Sequence, residues 1–320
     1  MSRLRRPVLA VIIGIAMVLG LSACSSRAGE WTDQTYAIAG GGTTGVYYDY
    51  GSHLAEELFD ALGVDVVGEE TNGSVDNLLR VAEGDALLGF AQGDAAADAV
   101  AGVGAFDEPL PVRAVARLYD EYVHVVVRAD SEVESIPELD GRTVSLGAEN
   151  SGVTVIAGRV LDAVGMDRSA VLDAQLDLRD SIAAMERGEI DGFFWVGGLP
   201  TPGLRELAEQ LPVRLLPIEL EWVNTVNARY SDAYRPADFP AGIYGLSEST
   251  PTMAVPNYLL AAASTPDAVV RDVLEVLFDA RSRMGSEVPA VALLNRRQAI
   301  FTAPVELHPG AVDYYRDSRR

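Results

Sequence analysis

The chain has 320 residues, 48% apolar and 22% charged, a balance that suits a packed globular body rather than a disordered chain. Its 47 acidic residues outweigh 25 basic ones, all of them Arg, for a formal net charge of −22. A protein this acidic does not bind nucleic acid through phosphate contacts, and it does not dock on anionic lipid by charge. An anionic ligand would have to be held locally, by helix N-termini and one or two Arg working against the global field.

Residues 1–24 read as a targeting segment. Arg3, Arg5 and Arg6 form a basic start, and Val8 to Gly20 is an apolar core of 13 residues. That is short for a membrane span, which needs about 20 residues, and its flanks fit a signal peptide. Pro7 after Arg5-Arg6 is a poor twin-arginine context and favours the general secretory route. Leu21-Ser22-Ala23-Cys24 resembles a bacterial lipobox, which implies a signal peptide over 1–23 and a lipidated Cys24. Cys24 is the only cysteine, so no disulfide forms within one chain. An uncleaved N-terminal anchor is the competing reading, and either one tethers the body outside the cytoplasm. Acyl chains hold at about 0.8 kcal/mol per buried CH₂, so more than one chain anchors stably. Removing 1–23 removes three Arg and no acid and takes the net charge from −22 to −25. With Cys24, the polar stretch to Asp33 forms a tether (24–33), and no later segment is long and apolar enough to cross a bilayer. What remains suffices for two α/β lobes.

The stretch from Tyr36 to Leu58 organises the rest. A short apolar run, Tyr36 to Ala39, breaks into six residues of Gly and Thr, Gly40 to Gly45. Val46, Tyr50, Leu54 and Leu58 then share one stripe at helical spacing. The pattern predicts strand, glycine-rich turn, helix. The first N–H groups of such a helix lack partners inside it and favour an anion over the turn. An ordinary tight connection fits the same residues. Gly40, Gly42 and Gly45 also fit G-x-G-x-x-G, with Asp65 twenty residues beyond, the spacing of a dinucleotide fingerprint. A P-loop is excluded, because Val46 stands where Lys is required.

Further along, Val64 to Val67 reads as a strand, Thr71 to Ser74 as a turn, and Val75 to Val81 as a helix. Ala86 to Ala91 is a buried strand, and an Ala-rich helix follows Gln92-Gly93-Asp94. This β-α-β order predicts a mainly parallel sheet flanked by helices. Its turns bring the 41–45 loop, Gln92 and Asp94 to one rim, where ligands gather; Asp94 fits a helix cap equally well. Val112 to Ala116 and Val123 to Arg128 read as two strands, and Thr143 to Gly147 as another. Asn150 or Ser151 then caps a helix to about Val164, repeating the logic of the first turn. Two such termini facing each other could hold both ends of a dianion. Leu178 to Arg187 reads as a helix, Ile190 to Val196 as a strand, Leu204 to Leu211 as a helix and Val213 to Leu216 as a strand. Residues 219–248 look irregular, Thr252 to Ala262 returns as a strand, and Asp267 to Arg283 is a long helix. His53, His124 and His308 are scattered, and no spacing supports a metal site or a catalytic set, so no enzyme, cofactor or metal is expected.

Seven segments in order resemble the TAXI family of extracytoplasmic solute-binding proteins of TRAP-type transporters. They are Ile38–Gly51, Thr71–Asp94, Ala116–Asp130, Leu139–Val153, Gly188–Leu204, Phe239–Gly245 and Thr250–Ala262. The resemblance covers nearly the whole body. It implies an α/β, two-lobed periplasmic binding protein of type II, each lobe a mainly parallel sheet flanked by helices, with the ligand in the inter-lobe cleft. The lobes would be 34–126 plus 256–320, and 127–255. It implies a receptor for a small anionic solute, an acidic amino acid such as glutamate or a dicarboxylate such as 2-oxoglutarate. The partners would be TRAP-type permease subunits in the membrane that the lipid anchor reaches, and the receptor is expected to be a monomer. By position, the ligand-binding residues would be Gly42, Thr43, Thr44, Gly45, Tyr47, Asn72, Gln92, Ser151, Gly152, Val153, Trp195 and Gly198. The sequence departs from the family pattern in having Thr44 for Gly, Asp49 near the usual Pro, and Val153 for Thr.

Three other readings stay open on the same residues. One is a ligand sensor for a membrane kinase, or a binding protein of an ABC importer, on the same fold. Another is an exported nucleotide-binding enzyme built on the glycine loop, and the last a surface antigen without a ligand.

Overall fold

A computed structural model describes residues 31–318. The signal segment, Cys24 and most of the tether lie outside the described residues. The body from Thr35 onward is one compact unit. Its strands are β1 (Tyr36–Ala39), β2 (Val66–Glu69), β3 (Leu88–Gln92), β4 (Val112–Arg128), β5 (Thr143–Ser145), β6 (Leu172–Asp173), β7 (Gly192–Gly197), β8 (Val213–Leu215), β9 (Arg235–Phe239) and β10 (Thr250–Ala262). Its helices are α1 (Val46–Leu62), α2 (Ser74–Glu83), α3 (Gly93–Ala101), α4 (Gly152–Ala163), α5 (Leu178–Glu186), α6 (Pro202–Gln210), α7 (Leu220–Arg229), α8 (Asp267–Glu287), α9 (Pro289–Ala292) and α10 (Pro309–Asp317).

The strands form one mixed sheet in the order β2-β1-β3-β10-β4-β7-β5-β6, with β8 paired to β4 and β9 to β10. At one end β2, β1 and β3 run parallel. At the other, β7, β5 and β6 run parallel. The long strands β10 and β4 lie between, antiparallel to each other and to the strands beside them. Each parallel set is thus the β-α-β half that the sequence pattern predicts, and two long strands connect the halves.

Alternation along the strands puts helices on both faces. Ala37, Ala39, Ala91 and Ala114 pack with Val75, Leu78 and Val81 of α2 and with Ala95 and Ala99 of α3. The intervening Ile38 and Phe90 face α1, where a side chain on Gly51 would meet both at 3.2 Å. In the other half Val123, Val125, Phe194 and Val196 pack with Ile156 and Val160 of α4 and Val223 and Val226 of α7. Val126 and Phe193, one residue out of phase, pack with Leu178 and Met185 of α5 and Leu204 of α6.

The structure differs from the sequence expectation in three ways. The two strands expected at 112–116 and 123–128 are one continuous β4 of 17 residues. The polar Asp120-Glu121 that reads as a break lies inside it, with Asp120 exposed and Glu121 buried. The irregular 219–248 region contains α7 and β9. Pro236 disguises β9, but β9 pairs only with β10 and is an edge, where a missing N–H costs nothing. The expected strands at 64–67, 86–91 and 143–147 are displaced or shorter at their ends, the part of an element that sequence reads least well.

Candidate functional site

The carboxyl ends of the parallel strands of both halves open on one cleft of about 650 Å³, open water included. Five helix starts meet in its lining: Gly45 to Tyr47 at α1, Gly73 and Ser74 at α2, Gln92 before α3, Ser151 to Val153 at α4, and Asp177 and Leu178 at α5. The starts of α4 and α5 are capped by their own side chains. Ser151 Oγ accepts from the Thr154 N–H at 3.1 Å, and Asp177 Oδ1 accepts from the Asp180 N–H at 2.8 Å. The starts of α1, α2 and α3 carry no side-chain cap. Of their first-turn N–H groups, that of Asp76 in α2 donates to the Asn150 carbonyl at 3.1 Å, and the partial positive charge at each start favours negative charge in the cleft.

The loops are held by a buried hydroxyl. Thr71 Oγ1 accepts from the Gly41 N–H at 2.8 Å and donates to Asn77 Oδ1 at 2.5 Å, while Asn77 Nδ2 donates to the Phe90 carbonyl at 2.8 Å. This chain ties the turn after β1 to the start of α2 and to β3. Gly41 has φ +69°, the left-handed region that a side chain disfavours.

Ten of the twelve expected residues line the cleft: Gly42, Thr44, Gly45, Tyr47, Asn72, Gln92, Ser151, Gly152, Val153 and Trp195. Thr43 and Gly198 do not. Thr43 is at the exposed tip of the turn that the Gly45 N–H closes onto the Gly42 carbonyl at 3.0 Å. Gly198 lies behind the cleft, where a side chain would meet the Tyr119 ring at 3.2 Å and Val46 at 3.5 Å. Trp195 is half-buried, and its ring would meet a side chain on Gly45 at 3.3 Å. Its indole N–H donates to Thr201 Oγ1 at 3.1 Å. Asp94, expected at the rim or as a cap, does neither; it forms an ion pair with Arg159 at 2.8 Å.

Sequence reading missed the floor of the cleft. Glu121, 1% exposed, lines it from β4. Tyr47 Oη donates to Glu121 Oε2 at 2.8 Å and Tyr119 Oη to Oε1 at 3.3 Å. The Tyr47 ring is stacked on Phe90 with centroids 5.3 Å apart, which fixes the hydroxyl over the carboxylate. Beside it, Gln92 Oε1 and Asn257 Oδ1 are buried without a hydrogen-bond partner. Burial pushes the Glu121 carboxyl up from 4.5 to about 8, against the pull of Tyr47, Gln92, Tyr119 and Asn257 towards the ionised form. Burial likewise raises both tyrosines well above their ordinary value, so they remain neutral donors.

No Arg is among the residues that line the cleft. Arg80 pairs with Asp76 at 2.8 Å, Arg117 with Asp120 at 2.5 Å, and Arg179 with Glu70. The one or two Arg expected beside an anion are thus not in the lining. Among the described residues no group of three or more His, Cys, Asp or Glu could hold a metal ion, and no helix is long and apolar enough to cross a membrane. The dinucleotide spacing has no matching geometry. Asp65 accepts from Thr35 Oγ1 at the amino ends of β1 and β2, while the glycine turn is at the carboxyl end of β1.

These groups set a pH dependence. A carboxyl that is neutral in the fold up to about pH 8 but ionises near 4.5 when unfolded contributes stability that is full below 4.5 and lost as pH rises towards 8. His124 acts in the opposite sense. It is fully buried, and burial lowers it from 6.5 to about 3, so its contribution is lost as pH falls through that window. Glu121→Gln is expected to flatten the decline between about pH 5 and 8 in urea midpoints measured without ligand. An unchanged slope would show that Glu121 titrates normally.

The fold resembles that of several periplasmic proteins of known structure. It aligns with PhnD1 from Prochlorococcus marinus in complex with methylphosphonate (TM-score 0.54, 12% identity, 90% of this chain and 97% of that one). It aligns as well with a structure described as a periplasmic transporter (TM-score 0.54, 14% identity, 90% and 94%). A third match is the binding-protein component of an ABC phosphonate transporter from Pseudomonas aeruginosa (TM-score 0.53, 10% identity, 82% and 80%). The model of the NMT1-like family matches residues 38–318, so the chain belongs to the NMT1-like family.

Proposed function

We propose that the protein is an extracytoplasmic receptor that captures a small carboxylate-bearing solute and hands it to a transporter in the membrane. The observation that carries this reading is the convergence of five helix N-termini, three of them without a side-chain cap, on one cleft whose lining holds no Arg. Such termini bind carboxylates and other oxyanions through backbone N–H groups. Delivery to a TRAP-type permease follows from the TAXI resemblance, and attachment to the membrane from Cys24. Residues 34–126 plus 256–320 would act as one lobe and 127–255 as the other, with β4 and β10 as the hinge strands that cross between them.

A second reading has its own support. Two of the solved structures above are described by their phosphonate ligand or phosphonate transporter. A phosphonate is also an oxyanion that helix starts can hold, which would make this chain an ABC-importer binding protein.

A thermal-shift screen of the chain from Ser25 tests both. The panel holds glutamate, glutamine, aspartate, 2-oxoglutarate, succinate and methylphosphonate. A ligand at about 100 times its Kd stabilises by about 2.7 kcal/mol, a rise of several degrees for a body of this size. A shift with a carboxylate supports the first reading, and a shift with methylphosphonate alone supports the second. If no compound shifts the melt of ligand-free protein, both are wrong. For the compound that binds, Ser151→Ala should weaken binding by about 1–3 kcal/mol. Unchanged affinity would remove Ser151 from the site.

A further inference from the structure

The Trp195 indole lines the cleft from β7, and what holds it there lies behind the lining. Its benzene edge rests against Gly45 in the other half, where a Cβ would come within 3.3 Å of Cη2. Its pyrrole end rests against Gly197, where a Cβ would come within 2.5 Å of Nε1 and 3.2 Å of Thr201 Oγ1. The bare backbone at Gly197 thus leaves room for the 3.1 Å bond from the indole N–H to Thr201 Oγ1.

Thr201 stands at the N-cap position of α6, where a Thr oxygen ordinarily accepts from an N–H of the helix's first turn. It makes no such bond. Its hydroxyl accepts from the Trp195 indole instead and donates to the Gly198 carbonyl at 2.8 Å. Thr201 is fully buried, and its own N–H donates to Tyr244 Oη at 2.8 Å. Tyr244 Oη in turn lies 3.4 Å from His124 Nε2. His124 Nδ1 faces the Tyr122 carbonyl at 2.9 Å, and burial keeps the ring neutral. Nδ1 therefore carries the proton, and Nε2 accepts from the Tyr244 hydroxyl. Tyr244 has φ +48°, a left-handed backbone that a bulky residue rarely adopts. Such a conformation persists where its surroundings dictate it. The chain Trp195–Thr201–Tyr244–His124 thus runs from the cleft wall to the middle of β4.

We propose that Thr201 is a positioning residue of the cleft, which gives up its helix cap to fix the Trp195 indole as a wall against the solute, and that Tyr244, steadied by His124, fixes Thr201. This rests on the reading of the chain as a solute receptor. It also says how Trp195 meets the solute. The indole N–H is spent on Thr201, so the ring alone faces the cleft, and the part of the solute beside it is hydrocarbon. Because the same ring seats the Gly45 turn, an indole free to rotate loosens the wall and a contact between the halves together.

The test is made on the chain from Ser25, with the Trp195 indole N–H observed by NMR and identified by its loss in Trp195→Phe. Affinities for L-glutamate, 2-oxoglutarate, succinate and methylphosphonate are measured by titration calorimetry. Thr201→Val keeps the shape and removes the hydroxyl. It should shift the Trp195 indole signal, speed its exchange with solvent, and weaken whichever probe the wild type binds by about tenfold, as a buried donor loses its acceptor. Thr201→Ser, which keeps the hydroxyl, should restore both the signal and the affinity. If Thr201→Val fails to fold, Tyr244→Phe decides, and it should move the same indole signal and weaken the same probe. Weaker binding with an unmoved indole signal, or a moved signal with unchanged affinity, overturns the positioning role and leaves the receptor reading intact. Binding of no probe by the wild type overturns the receptor reading, and this inference with it.

Discussion

Arg159→Ala is expected to be among the most destabilising single substitutions in this protein, at about 3–5 kcal/mol. Arg159 extends from α4 into a buried pocket between the two halves of the sheet. Its guanidinium donates to Asp94 at 2.8 Å, to Asp98, and to the Tyr234 hydroxyl at 3.1 Å. Tyr234 in turn donates to Asp94 at 2.5 Å, and the Tyr230 ring stacks on the guanidinium at 5.0 Å. The side chain of Arg159 is 8% exposed, that of Asp94 fully buried and that of Asp98 12% exposed. Solvent screening therefore offsets little. Truncation strands two neighbouring carboxylates with one hydroxyl donor between them, and it is this uncompensated charge, more than the lost pair, that sets the cost.

The sign of its pH dependence follows. Burial already raises Asp98 above the usual range, and Arg159 is the charge that holds it down. Without the guanidinium the pair would keep a proton in the folded state. Stability in Arg159→Ala is then present at low pH and lost as pH rises, so its deficit against the wild type should be smaller at pH 5 than at pH 8. Urea unfolding at the two values measures this. An equal deficit at both would mean that packing around Tyr230, not charge, explains the loss. Asp98→Asn in the same background should recover part of the stability at pH 8, since the two sites are in contact and their effects do not add.

Sequence pattern carried the β-α-β halves and most of the rim, because those features are local. The Gly40–Gly45 run before the stripe of Val46, Tyr50, Leu54 and Leu58 can hardly be anything but strand, turn and helix. Ser151 reads as an N-cap and is one. The floor was not legible, since it depends on partners far along the chain. Glu121 meets Tyr47 across 74 positions, and nothing in Asp120-Glu121 says that one points out and the other in. Alternation held the clue: a strand on each side of the pair, with the phase preserved through it, implies one strand with a buried acid. Arg159 hid for a similar reason. On α4 it looks like an ordinary exposed charge, and only α3 and the Tyr230–Tyr234 segment, brought together by the fold, make it internal.

Gly152→Val should reduce affinity for the ligand identified by the screen at least tenfold, or about 1.4 kcal/mol. A Cβ at Gly152 would come within 2.0 Å of Gln92 Oε1 and 2.7 Å of Ser74 Oγ. Both neighbours are buried, Gln92 at 2% and Ser74 at 1% exposure, so neither can swing aside into solvent. Gly152 starts α4 in one half, whereas Gln92 and Ser74 belong to β3 and α2 in the other. The bare backbone thus lets α4 approach the first half closely enough to bring the helix starts onto one ligand. Two responses to the added bulk are physically distinct. If the halves hinge about β4 and β10, they part and relieve the overlap. The radius of gyration by solution scattering then rises, ligand no longer lowers it, and melting without ligand changes little. If the halves are rigid, the overlap stays as overpacking strain of about 1–3 kcal/mol, visible as a lower melting temperature at unchanged size. The first outcome makes closure part of binding and Gly152 the residue that permits it. The second leaves a preformed pocket whose selectivity is set by its lining alone.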